Sequence, residues 1–228
     1  MGTIQAFLDH MNWIQLLVLV MGAVASLFCL TVHELSHGLI AYRLGDPTAK
    51  LNGRLTLNPI AHIDLVGLVL MLVARVGWAK AVPVDMRNFK NPKRDMAFTA
   101  LAGPLSNFIL AFVALSICSG VYYFAPDHII CAYIMLFFSY MAVLSIGLGI
   151  FNLIPLPPLD GSKILFSLLP DRIYATILRY ERFMIAAVVL LAWSGLLGGP
   201  LNLAMEGMTR LLCAITQFPF EIPQYYFF

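Results

Sequence analysis

The run from Ile14 to Tyr42 is apolar along most of its length, yet it carries His33-Glu34-Leu35-Ser36-His37 near its end. About 20 apolar residues in a helix cross a bilayer, and a lone segment inside lipid satisfies its backbone only as a helix. Ionisable groups in such a span cost on the order of 2–3 kcal/mol each and usually face a protein interior or a water-filled cavity. Three of them so close together need a purpose. Histidines four apart lie on one helix face, so both imidazoles can reach one Zn²⁺. Glu34 then falls beside the metal, placed to take a proton from water. From this chain's own His and Glu frequencies, the pattern arises by chance about once in five hundred such sequences. A soluble zinc hydrolase needs no such helix, so the juxtaposition points to hydrolysis inside or at the edge of a membrane.

Composition agrees. Only 11% of the 228 residues are charged, 61% are hydrophobic, and the mean hydropathy is +0.85. Soluble domains carry about 25% charged residues, so an integral membrane protein is expected, with the lipid bilayer as its first partner. The net charge of +2 comes without a basic stripe interleaved with aromatics, and no nucleic-acid partner is expected. Met1 to Trp13 contains no lysine or arginine, unlike the start of a signal peptide, so the first apolar segment reads as retained. Cys29, Cys118, Cys131 and Cys213 form no C-x-x-C pair and read as small packing residues.

Four stretches read as spans: 14–43, 97–124, 131–153 and 183–200. Leu65 to Ala74 is too short to cross and reads as a re-entrant half-helix, while 201–217 is mixed in polarity and suits an interfacial helix. Between Leu51 and Leu57, alternation around Asn52-Gly53 predicts a hairpin that would hold an extended peptide by strand addition; a plain surface loop is the competing reading. The expected fold is therefore an all-α polytopic membrane protein with about four full spans, a re-entrant half-helix and a short β-hairpin near the active site. It forms a single domain over 1–228, with a catalytic core at about 14–165.

Charge asymmetry orients the spans. Nine Lys/Arg residues lie between Arg43 and Arg94 and four between Lys163 and Arg182, whereas 1–13 and 122–131 have none. By the positive-inside rule the first span runs inward, the second outward and the third inward again. His33 and His37, Gly103 to Asn107, and Asn152 to Asp160 then meet at one depth on the cytoplasmic side. That is the pattern of a buried site.

Catalytic zinc usually takes three protein ligands and leaves one position open. Asp160 is the candidate third ligand, at the end of Asn152-Leu153-Ile154-Pro155-Leu156-Pro157-Pro158-Leu159-Asp160-Gly161. Three prolines in four positions prevent a regular helix, and irregular backbone at membrane depth is tolerated only inside protein or along a cavity. Two alternatives stay open: His62 as the ligand, and Asp160 as a cap for a helix at 161–169. A metal transporter or metal-binding protein would use the same ligands without hydrolysis, but would leave Glu34 without a task.

Together, His33-Glu34-Leu35-Ser36-His37-Gly38, Gly103-Pro104-Leu105-Ser106-Asn107 and the proline run to Leu159-Asp160-Gly161 resemble the site-2 protease family of intramembrane zinc metalloproteases. Gly77 to Asp85 and Asn88 to Pro92 resemble the basic loop of its compact prokaryotic branch. The resemblance covers about residues 14–200. It implies one Zn²⁺ held by His33, His37 and Asp160, with Glu34 as general base and proton shuttle. It also implies that Asn107 steadies the tetrahedral intermediate and that Asn152 binds substrate backbone. For Asn107, a helix–helix hydrogen bond within the bilayer is the competing reading. The implied substrate is a membrane-spanning protein segment, cleaved in a prokaryotic cell (inner) membrane by a site open to the cytoplasmic side. A homo-oligomer is compatible with the sequence. The PDZ-like insert and nucleotide-sensing tail of larger relatives are not expected, since about seven residues join the second and third spans. Asp64-Leu65-Val66-Gly67 departs from close relatives, which often have proline after the aspartate.

Overall fold

The computed structural model describes residues 13–64, 80–124, 128–170 and 194–219, and between 171 and 193 only positions 173, 174, 176, 184, 188, 190 and 191. The helices bounded within the described residues are, in order, α1 Trp13–Arg43, α2 Thr48–Leu51, α3 Pro92–Phe124, α4 Ile129–Asn152, α5 Asp160–Phe166 and α6 Gly198–Thr216. Short 3-10 turns lie at Pro59–His62 and Met86–Asn88.

Among the described residues, α1, α3 and α4 are long and apolar enough to cross a membrane. They pack against one another, with α5 laid on α3, and α6 on α4 and α3. Polarity is distributed as lipid demands. Leu19, Val20, Val24, Ile109 and Val113 point outward, while Thr31, Asn107, Ser139 and Ser145 are buried between helices. The core is built on small residues, with Ala25, Cys29, Ala111, Ala114, Cys118 and Ala142 letting backbones approach closely. Three of the four cysteines are buried and all are free; Ser145 Oγ donates to Cys29 Sγ at 3.1 Å.

The helix ends follow from local chemistry. Gly45 takes φ +109°, and the N–H groups of Gly45 and Asp46 close on Tyr42 O (3.2 Å) and Ala41 O (2.9 Å). That is a Schellman stop, which only a residue at ease with positive φ supplies cheaply. α3 starts five residues before the expected 97, because Pro92 suits a first turn and Asp95 Oδ2 accepts the Asn91 N–H at 3.0 Å.

One expectation needs correction. Around Asn52-Gly53 there is no hairpin. Asp46 Oδ1 accepts the Thr48 N–H (3.0 Å), Leu51 N–H returns to Pro47 O (2.9 Å), and Gly53 at φ +65° ends a helical turn. The Asn-Gly pair thus terminates α2 instead of reversing a strand. Apart from one bridge residue, Ile63, no extended ladder occurs among the described residues. Of the four expected full spans, three are present among the described residues. The expected fourth span, 183–200, lies largely outside the described residues, and its end at 194–197 is a turn leading into α6. The expected half-helix at 65–74 lies outside them altogether. The expected helix at 201–217 is present as α6.

Two buried charged side chains hold the long connection between α1 and α3. Asp46, fully buried, accepts from Asp85 N–H at 2.7 Å and Asn88 Nδ2 at 2.7 Å, fastening 85–88 to the end of α1. Arg54 donates to the carbonyls of Ala61, Lys80 and Ala81, so the segments at 59–62 and 80–81 lie side by side. Lys80 N–H completes the contact on His62 O at 3.0 Å.

Burial opposes charge on Asp46, but bonds from the Thr48 hydroxyl, Asp85 N–H, the Asn88 amide and Thr48 N–H outweigh it and hold the carboxyl below its ordinary value. Nearby, the Arg87 side chain and N–H pull Asp85 down to about 2. A carboxylate lowered on folding stabilises the protein above its unfolded pKa and ceases to do so as pH falls through the folded value. Thermal unfolding in detergent should therefore move to lower temperature between roughly pH 5 and pH 2. Asp46→Asn should be less stable at neutral pH and show a shallower acid fall. A second prediction concerns Gly161, where a Cβ would run into the Leu153 carbonyl and lie 2.6 Å from Ile154 O. Backbone cannot yield as a side chain tip does, so Gly161→Ala should destabilise the fold by about 1–3 kcal/mol, read from the same unfolding curves.

Candidate metal centre

α1 delivers His33 and His37 one helical turn apart on the face that meets α3, and both are buried, at 4% and 9% exposed. The fit is possible because α3 presents a glycine there. A Cβ on Gly103 would stand 2.5 Å from His37 Cε1 and 2.6 Å from His33 Cε1, inside van der Waals contact. α3 also supplies the partner that orients His37: its Nδ1 lies 2.7 Å from Thr99 O. A carbonyl only accepts, so Nδ1 carries the proton and Nε2 keeps its lone pair.

The third group comes from beyond α4. After Asn152 the proline run carries the chain through successive turns, and α5 begins with Asp160. Asp160 makes no side-chain cap on α5. Its Oδ2 lies 3.2 Å from His33 Nε2 and 3.1 Å from His37 Nε2, and the two Nε2 atoms are 3.0 Å apart. Asp160 Oδ2 is buried without a hydrogen-bond partner.

This set fits a tetrahedral zinc site. Ligands at roughly 2.0–2.1 Å in a tetrahedron stand about 3.3 Å from one another, close to the three edges observed. Three electron-pair donors turned toward one another in a low-dielectric interior repel unless a cation or protons lie between them. Among the described residues, His33, His37 and Asp160 form the one such metal-capable cluster. His62 is elsewhere: it is buried, with Nε2 3.0 Å from Thr56 O.

A cavity of about 420 Å³ opens on this cluster, with Glu34, Val82, Met86, Met96, Asn152 and Lys163 on its wall. Glu34 Oε2 accepts the Val82 N–H at 2.8 Å, so the segment beyond Arg54's clamp steadies the carboxylate. Asn152 donates Nδ2 to Leu148 O at 2.9 Å, which leaves its carbonyl oxygen outside that bond. Asn107 is placed differently. It is fully buried behind the histidines, with Nδ2 3.0 Å from His33 Nδ1, and it is not on the cavity wall. The structure thus brings together His33, Glu34, His37, Asp160 and Asn152 at the cavity, and Asn107 beside His33.

Several contributors were not singled out from the sequence. Thr99 O and Val82 N–H are backbone groups, which leave no residue signature. Gly103 stood within a recognised motif, but its reason, the approach of α3 to two imidazoles, depends on the helix pairing. Arg54 and Asp46 belong to no motif that singled them out.

Comparison with known proteins agrees with this geometry. Residues 21–126 and 119–194 match Peptidase family M50. A Bacillus subtilis (strain 168) protein named "Putative zinc metalloprotease YwhC" is 39% identical over 193 residues, covering 82% of this chain and 88% of that protein. "Putative zinc metalloprotease Rip2" of Mycolicibacterium smegmatis is 30% identical over 139 residues, 59% of this chain and 52% of that one. The Mycobacterium tuberculosis (strain H37Rv) protein of the same name is 32% identical over 150 residues, 63% of this chain and 55% of that one. The chain thus spans most of the Bacillus relative and about half the length of the mycobacterial ones. No solved structure matches it. A buried His-His-Asp cluster beside a glutamate, on helices suited to a membrane, and a family match over most of the sequence lead to one conclusion: the chain belongs to peptidase family M50, the site-2 protease family, and is a membrane zinc metalloprotease.

Proposed function

We propose that the protein is an intramembrane endopeptidase that hydrolyses peptide bonds within or next to the membrane-spanning segments of other membrane proteins. The observation that carries this reading is the position of the donor cluster. His33 and His37 lie on a helix apolar enough to cross a bilayer, with their Nε2 atoms 3.0 Å apart and Asp160 Oδ2 against both.

His33, His37 and Asp160 would hold Zn²⁺, which when bound supplies Lewis acidity toward water and the scissile carbonyl. The chain's own part in the chemistry belongs to Glu34. Its carboxylate takes the proton from the attacking water and returns it to the leaving amine. The Val82 N–H on Oε2 fixes the carboxylate's rotation and leaves Oε1 to accept that proton. Asn152 offers a side-chain carbonyl to substrate backbone N–H groups. The cavity wall, part apolar through Val82, Val84, Met86 and Met96, suits an extended stretch of a hydrophobic segment. Such a segment has to unwind first, since a helix hides its carbonyls in hydrogen bonds.

We infer further that the site opens toward the cytoplasm of a prokaryotic cell membrane. The basic residues between Arg43 and Arg94, which follow the histidine end of α1, support that orientation.

Two measurements test this reading. In detergent-purified protein, Glu34→Gln should keep stoichiometric zinc by elemental analysis while cleavage of a single-pass substrate falls about 10²–10⁴-fold; Asp160→Ala should lose the metal as well. Metal transport without hydrolysis would instead leave Glu34→Gln with altered flux and no lost cleavage to record. For orientation, Lys163→Cys on the cavity wall should react with an impermeant maleimide in inverted membrane vesicles and not in intact spheroplasts. The reverse pattern would place the opening on the outer face.

A further inference from the structure

We propose that Asn107 is a positioning residue that sets the tautomer of His33, acting on the metal centre through that ring and not by touching substrate. This rests on the reading of His33 as a zinc ligand through Nε2. A neutral imidazole that offers the Nε2 lone pair carries its proton on Nδ1, and that N–H needs an acceptor. Metal-binding histidines nearly always find one in a carbonyl or carboxylate. For His37 it is the backbone oxygen of Thr99, 2.7 Å from Nδ1. For His33 the group at Nδ1 is the Asn107 carboxamide, 3.0 Å away.

Two observations give this contact its meaning. Asn107 is fully buried, and its Oδ1 has no hydrogen-bond partner. A half-turn of the carboxamide, nearly neutral in shape, brings that orphaned oxygen onto the His33 Nδ1–H and frees Nε2 for the metal. The turned carboxamide puts Nδ2 where Oδ1 stood, so what it changes is that the ring nitrogen meets an acceptor in place of a donor. Location supplies the second observation. A donor to a developing oxyanion has to stand about 3 Å from the reacting carbonyl. Asn152 lines the cavity where such a carbonyl would lie, whereas Asn107 is shut behind His33. The two ligand histidines are thus held by the same helix in two ways: α3 gives a main-chain carbonyl to one and a side-chain carbonyl to the other, eight residues apart.

The test is zinc affinity, measured by chelator competition on detergent-purified protein without any substrate. Asn107→Leu should weaken zinc binding about 10–100-fold, and Asn107→Asp, whose carboxylate accepts from Nδ1–H, should bind within about threefold of wild type. Wild-type affinity in Asn107→Leu, with only turnover reduced, would overturn the proposal and mark Asn107 as an oxyanion donor. Should Asn107→Leu fail to fold, the Co²⁺-substituted Asn107→Asp protein decides. A visible spectrum displaced from that of the Co²⁺ wild type supports contact with a ligand histidine, and an identical one overturns it. Wild-type protein that takes up no stoichiometric zinc would overturn the metal centre and this role together.

Discussion

Three lone pairs, on His33 Nε2, His37 Nε2 and Asp160 Oδ2, converge within about a ligand–ligand distance of one another in the buried interior. In water such groups would separate and hydrate. Here they cannot, because each is carried by an element whose position is set by apolar packing. α1 is held against α3 by a seam of small residues, and the turn after α4 folds back so that Gly161 lies on the Leu153 and Ile154 carbonyls. A bound cation would turn this mutual repulsion into an attraction. Much of the remaining structure can be understood as what is needed to hold three helix ends to that point.

The support is mainly backbone. Thr99 O orients one imidazole, and Val82 N–H orients the Glu34 carboxylate. Pro104 stands near Thr99 in α3 and cannot donate to the carbonyl of Ala100, so the ladder is loosened close to where His37 docks. Arg54 and Asp46, both buried and hydrogen-bonded, anchor the connection that carries Val82. Buried charges of this kind are costly when unpaired. Here they meet carbonyls, N–H groups and amides from segments distant in sequence, and so lock irregular backbone beside the cavity.

How far the sequence reached differs from residue to residue. His33, Glu34 and His37 announced themselves, because charge in an apolar helix has few explanations and spacing four places two rings on one face. Asp160 was reached by a longer route, through prolines that forbid a helix at membrane depth. The hairpin expected at Asn52-Gly53 failed because Asn-Gly serves equally to reverse strands and to end helices. Asp46 decided between them by capping Thr48, a contact that alternation of Leu51, Leu55 and Leu57 does not reveal. Asn107 was visible as a polar residue in a span, but its direction was not.

Periodicity and hydropathy act along the chain, and what they report is local: candidate spans, the face on which the histidines lie, and the chemistry those side chains can perform. The order of the motifs also identified the family. Partnership across elements is of another kind. Which carbonyl receives the His37 proton, which N–H holds Glu34, and whether Asn107 faces the cavity or a ring depend on distances of about 3 Å between residues up to 74 positions apart. Those distances come from the packing of α1 on α3 and the return of the chain after α4, and a linear pattern does not encode them.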